Sequence, residues 1–119
     1  FASEYSYLNG SKISSSSYTS NAKSYVLASG ASIRPIYSKP STYKIANILV
    51  DINGPQGPNI SGRDFFFLYL YSNGMLDDGP DNTSNNAPLT KEQREASNCQ
   101  TSLNGCFGRL LNDNWEMNY

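Results

Sequence analysis

The stretch "YKIANILVDINGPQGPNISGRDFFFLYLYS" (Tyr43–Ser72) decides the fold. Both of its ends alternate as a β-strand does, with successive side chains on opposite faces. In Tyr43–Ile52, residues Ala46, Ile48, Val50 and Ile52 point one way, and Ile45, Asn47, Leu49 and Asp51 the other. In Asp64–Ser72, residues Phe66, Leu68 and Leu70 share one face, and Phe65, Phe67, Tyr69 and Tyr71 share the opposite one. The aliphatic face of each strand needs cover. The Tyr-rich face is expected to sit half-exposed, with its hydroxyls in water. The two strands are expected to pair antiparallel near the centre of a sheet, because apolar character on both sides calls for cover on at least one.

Upstream, "SYVLASGASIRPIY" (Ser24–Tyr37) reads as a hairpin reversing at Ala28–Gly30, and 38–42 as a turn. Residues 1–23 are weakly patterned: "SEYSYL" fits one helical turn or the tail of a longer helix, and "SSSSYTSN" (Ser14–Asn21) reads as polar loop. Downstream, Ser72–Pro88 is turn-rich. Thr90 and Gln93 have the spacing of a capping box, which predicts a helix running to about Ser97. A short helical turn is expected over Phe107–Leu111, then a terminal strand or tail carrying Trp115. The chain shows no internal repeat, and its 119 residues fit one domain, 1–119, of α+β class.

Charged residues make up only 16% of the chain and the net charge is −1, so electrostatic capture of nucleic acid or anionic membrane is not expected. Ser, Asn, Tyr and Gly dominate instead, a composition of extracytoplasmic β-rich domains. Cys99 and Cys106 are the only cysteines, and there is no histidine, so a zinc site would lack ligands. Their spacing is not that of a Cys-x-x-Cys redox pair. A local disulfide is the favoured reading; two buried free thiols in a cytosolic protein are the alternative. Closing a loop of about eight residues would contribute about 2.5 kcal/mol, and a disulfide implies an oxidising compartment. The longest apolar run, Phe65–Tyr71, is too short to span a membrane, and no signal peptide is apparent. The expectation is a mature or truncated form of an exported protein.

Catalysis is not expected. A Ser-His-Asp triad has no His, and Lys12, Lys23, Lys39, Lys44 and Lys91 sit in no Ser-Lys motif. "GPQGPNISGR" lacks the Gly-Lys-Ser/Thr ending of a phosphate loop. The acids lie mostly in polar loops, where solvated carboxylates are the plain reading against a glycosidase pair. "DING" resembles the start of an EF-hand, but its Gly falls at the fourth place and Gly62 stands where the bidentate Glu belongs. A looser calcium cage could use Asp51, Asn53, Asn59 and Asp64. Against it stand Asx-turns, in which those side chains bond their own loop backbone. Asp77, Asp78 and Asp81 are open to the same two readings. The nine tyrosines, with the many Asn, leave room for a carbohydrate- or protein-binding face, or they simply populate strands. Sequons at Asn9, Asn59 and Asn82 carry little weight in so Asn- and Ser-rich a chain.

Asp51, Asn53, Gly54, Gly57, Pro58, Asn59, Gly62, Asp64 and Phe66 together resemble a loop of bacterial type IV pilin-like proteins, the pilins and type II secretion pseudopilins. "YVLASGASI" is similar to that family's Leu-Ala-Asp-Gly segment, with Ser29 where Asp is common. The Cys pair and "LLNDNWEMNY" resemble its C-terminal disulfide and Asp-Gly-Trp tail, with Asn114 where Gly is common. The resemblance covers about residues 24–119. It implies an antiparallel sheet packed on an N-terminal helix, with a C-terminal disulfide loop. The family's hydrophobic N-terminal helix is not in this sequence, so the chain is read as the globular head, and that helix would cover part of the aliphatic face. The connection Asn53–Arg63 is then a stiff surface scaffold, its φ angles set by Pro55 and Pro58. The implied function is structural and non-enzymatic: a major or minor subunit of a pilus-like or pseudopilus filament on the cell envelope or surface. Its partners would be other subunits, and the inner membrane through the N-terminal helix. A secreted carbohydrate- or protein-binding module is the alternative.

Overall fold

A computed structural model describes residues 1–37, 43–80 and 84–119. The turn expected at 38–42, together with Asp81 and the Asn82 sequon, lies outside the described residues. Five antiparallel strands form one sheet in chain order: β1 (Tyr25–Val26), β2 (Ser32–Tyr37), β3 (Lys44–Asp51), β4 (Phe65–Tyr71) and β5 (Leu76–Asp77). Two short helices follow, α1 (Lys91–Arg94) and α2 (Cys106–Asn112). The expected central pair is present: Leu49 lies opposite Phe67, Val50 opposite Phe66, and Asp51 opposite Phe65. The expected hairpin pairs β1 with β2, and Leu27 and Ala31 close its reversal with an N–H···O bond of 2.8 Å.

The Tyr-rich face does not sit half-exposed. Phe65 and Tyr71 are fully buried and Tyr69 nearly so. Phe65 is covered by residues 1–18, which form no α-helix and contain a 3-10 turn at Ser15–Ser17, whereas Tyr69 and Tyr71 pack with Tyr43, Ala87 and Leu89. Tyr5 stacks on Phe65 with ring centroids 4.0 Å apart, and Tyr18 closes edge-on against Tyr5. Ile13 and Leu49 complete this cluster with no exposed surface. Tyr5 and Tyr18 can be buried here because each phenol has a polar partner, Asp51 for Tyr5 and the Ser3 carbonyl for Tyr18, while the ring contributes apolar area. The N-terminal segment is tied in place by single bridges, Ser6 to Ile60 and Ser6 to Lys12. The helical turn read as one option for "SEYSYL" is not formed; residues 1–18 run as isolated bridges, turns and irregular chain.

The aliphatic face is covered from the other end of the chain. Phe66 and Leu68 pack with Leu110 of α2 and with Cys99 and Cys106. The two cysteines form a disulfide, with Cα atoms 5.2 Å apart. The capping box is present, Thr90 Oγ1 accepting from Gln93 N–H and Gln93 Oε1 from Thr90 N–H, but α1 ends at Arg94 rather than about Ser97. The expected turn at Phe107–Leu111 is realised as α2.

Candidate functional site

The connection from Ile52 to Asp64 folds on its own side chains. Asp64 accepts backbone N–H bonds from Asn59 at 2.7 Å and Ile60 at 2.6 Å, and the amide of Asn53 donates to Gly57 O at 2.8 Å. Asp51 accepts from the Tyr5 hydroxyl on one oxygen and from Asn53 N–H on the other. Burial holds the Asp51 carboxyl above its usual range, against the Tyr5 bond that favours the charged form. Burial beside Asp51 likewise raises the Tyr5 phenol. At Gly62 the backbone has φ +89°, and an added Cβ would stand 2.6 Å from Cys106 Sγ. The loop is therefore wedged against the disulfide. Gly54, Gly57 and Pro58 shape the bend, with Gly57 and Pro58 exposed at its outer end.

For a cation the donor set is Asp51, Asp64 and the side-chain oxygens of Asn53 and Asn59, which are buried and accept no bond. Both carboxylates are already engaged by protein donors, so calcium would have to displace those bonds. Among the described residues no group of three His, Cys, Asp or Glu side chains is placed to hold a metal ion. Beside the loop lies a polar hollow of about 350 Å³ lined by Glu4, Ser6, Lys12, Pro58 and Asn59. The exposed Lys12–Glu4 ion pair, 2.8 Å long, spans part of it.

A second and more apolar feature lies on the aliphatic face. A groove of about 490 Å³ has Val50, Phe66 and Leu68 as its floor. Leu76 of β5 forms one wall, and Phe107 and Leu110 of α2 the other. Ile52, Trp115 and Met117 stand at its mouth and remain about half-exposed. Trp115 sits edge-on to Phe107, centroids 5.8 Å apart, on a left-handed backbone that continues from Asn114. The tail is pinned at its end: Tyr119 donates its hydroxyl to Gly62 O at 2.9 Å, and its carbonyl accepts from Arg63. No charged side chain lines this groove.

The third feature joins the groove's two walls. Asp77 and Asp78, expected as solvated loop acids, are fully buried. Asp77 receives Arg94 through two bonds, Nε to Oδ1 at 2.9 Å and Nη2 to Oδ2 at 2.8 Å, and also accepts from Leu89 N–H. Among the described residues Asp78 has no cation partner. Its Oδ2 accepts from the N–H groups of Gly105 (2.8 Å) and Gly108 (3.2 Å), and Oδ1 from the Asn104 amide at 3.4 Å. Burial pushes its carboxyl up to about 7, opposed by these bonds. Every oxygen of the pair is thus taken by a protein donor. Sequence reasoning missed this pair. The available signal was an isolated Arg in a capped helix, downstream of two adjacent acids at the end of a strand.

The disulfide places the chain in an oxidising, extracytoplasmic setting, and among the described residues no helix is long and apolar enough to cross a membrane. In comparisons with protein-family models, curated proteins and solved structures, nothing matches this chain.

Proposed function

We propose that the chain is a structural subunit of a type IV pilus-like or type II secretion pseudopilus filament. The observation that carries this reading is the groove: the central strands of the sheet keep a charge-free apolar channel, with Ile52, Trp115 and Met117 about half-exposed at its mouth. Clustered exposed apolar surface of this kind marks contact with another macromolecule. The loop from Asn53 to Arg63, braced by its own Asp and Asn side chains, supports the scaffold part of the reading and matches the motif that carries the family resemblance. The partners would be neighbouring subunits, with the inner membrane engaged through a hydrophobic helix outside this sequence.

The test is genetic and structural together. Deleting the gene is expected to remove or shorten surface filaments, or to reduce secretion, and the wild-type gene to restore them. A gene carrying Ile52→Asp and Trp115→Ser should express a folded protein that restores neither. Unchanged filaments and unchanged secretion in the deletion strain would argue against the proposal. The second reading, a carbohydrate- or protein-binding module, draws on the polar hollow beside Asn59. Specific retention on immobilised glycans, lost in Asn59→Ala but kept in the groove variant, would favour it.

A further inference from the structure

The geometry around Asp78 has a consequence for the groove. Leu76 lies on β5, two residues before Asp78, and forms one wall; Phe107 and Leu110 on α2 form the other. Asp78 reaches across to Gly105 and Gly108, the residues immediately before and within the first turn of α2. Its side chain is therefore a direct polar link between the two walls. The walls also meet closely beside this link: a Cβ added at Gly108 would stand 2.5 Å from the Asp78 backbone carbonyl oxygen and 2.9 Å from Arg94 Cβ. The Asp78 side chain itself is fully buried.

Among the described residues, the charges on the packed elements leave Asp78 without a counter-ion. Asp77 beside it is negative and raises the cost of a second charge. Arg94 from α1 spends its Nε and Nη2 on Asp77 and its Nη1 on Asn112. Arg109 of α2 turns to Ser97 O and Glu95. The Tyr119 phenol is pushed up to about 12 by burial and stays neutral around it. Of these two adjacent buried carboxylates only Asp77 holds a guanidinium, and a charge on Asp78 beside it is disfavoured.

We infer that Asp78 is a proton-sensitive latch between the walls of the apolar groove: neutral, it holds β5 against α2; charged, it loosens them. In the neutral form Oδ2 still accepts from Gly105 and Gly108, and the carboxyl hydrogen donates to the Asn104 amide once that amide presents its oxygen. In the charged form the same buried site holds an anion served by N–H groups and, among the described residues, by no cation, and its cost is relieved by admitting water between β5 and α2. The carboxyl, raised to about 7, places the change at near-neutral pH.

Trp115, the only tryptophan in the chain, stands at the mouth of this groove and reports on it directly. The experiment follows its emission from pH 4 to pH 9 in the wild-type protein and in Asp78→Asn, an isostere of the neutral acid. The expected result is a single transition with its midpoint near pH 7 in wild type, with emission shifting to longer wavelength as the pH rises, and no transition in Asp78→Asn. A wild-type trace without a transition, or the same transition in a folded Asp78→Asn, would overturn the latch. If Asp78→Asn does not fold by far-ultraviolet circular dichroism, carboxyl-carbon NMR of the wild type decides. Titration of Asp78 near pH 7, together with shifts of the Gly105 and Gly108 amides, supports it; titration in the ordinary carboxylate range overturns it.

Discussion

At the scale of single residues, the molecule depends on a few polar groups that its apolar surroundings make expensive to leave unpaired. Tyr5 is the plainest case. Its ring stacks on Phe65 and its hydroxyl donates to Asp51, both in the interior. Tyr5→Phe keeps the stack and removes the donor, so it should cost roughly 1–3 kcal/mol, read from urea unfolding; an unchanged midpoint would mean that Asp51 finds another donor. Arg94 is a sharper case because its partner Asp77 is fully buried. Arg94→Met leaves that charge uncompensated and should cost about 3–5 kcal/mol. Adding Asp77→Leu should recover much of the loss; a double variant as unstable as the single one would show that the charge was not the cause. Gly62→Ala tests packing, since a methyl group there meets Cys106 Sγ at 2.6 Å on a φ of +89°. Both penalties act in the native state, and a loss of several kcal/mol is expected in the same unfolding assay.

At the scale of elements, what could be read locally was read well. The alternation in Tyr43–Ile52 and Asp64–Ser72 locates β3 and β4, and the Thr90–Gln93 spacing locates the start of α1, because each signal is set by near neighbours. The end of α1 was not legible. Its side chains are exposed or partly exposed, and Arg94 is drawn inward to Asp77, so the helix stops where that long-range pairing takes over. The burial of the Tyr face was equally invisible, since its cover comes from the weakly patterned residues 1–18 and from Tyr43, Ala87 and Leu89, which are distant in sequence from much of that face. The same limit hid Asp77 and Asp78: two acids after a short strand look solvated until a distant arginine and the N–H groups at the start of α2 are brought to them. Of the candidate site, the Asx-bonded loop was legible and the groove was not, because its walls come from β5, α2 and the tail. The disulfide is local and was legible. Cys99→Ser with Cys106→Ser should cost about 2.5 kcal/mol. Intact mass after alkylation under non-reducing conditions should show no free thiol in the wild type; two added groups on the folded, unreduced protein would sink the assignment.

At the scale of the whole molecule, the sheet has one well-sealed face and one that is open. Residues 1–18 together with Tyr43, Ala87 and Leu89 seal the aromatic side, while α2, the disulfide and the tail cover the aliphatic side only in part, leaving the groove. The residue that spans the open side is also the one whose ionisation folding changes most clearly, and this sets the pH dependence of stability. The Asp78 carboxyl lies at about 7 in the folded chain against 3.8 when exposed. Between those values the folded state holds a proton that the unfolded state has released, so stability falls as pH rises. The contribution is fully present below about pH 4, declines as pH rises to about 7, and is absent above; a change of this size corresponds to about 4 kcal/mol at most. The three N–H bonds to Asp78 favour its charged form and keep its carboxyl from rising further than about 7. Other buried carboxyls contribute too, Asp51 in the same direction, so the quantity to measure is a difference. Urea unfolding of wild type and Asp78→Asn at a series of pH values should give stabilities whose difference moves against the wild type by one to several kcal/mol from pH 4 to pH 8. A difference that does not change with pH would mean that Asp78 carries its charge in the folded chain at no cost, and that the N–H groups of Gly105 and Gly108 are sufficient to hold it there.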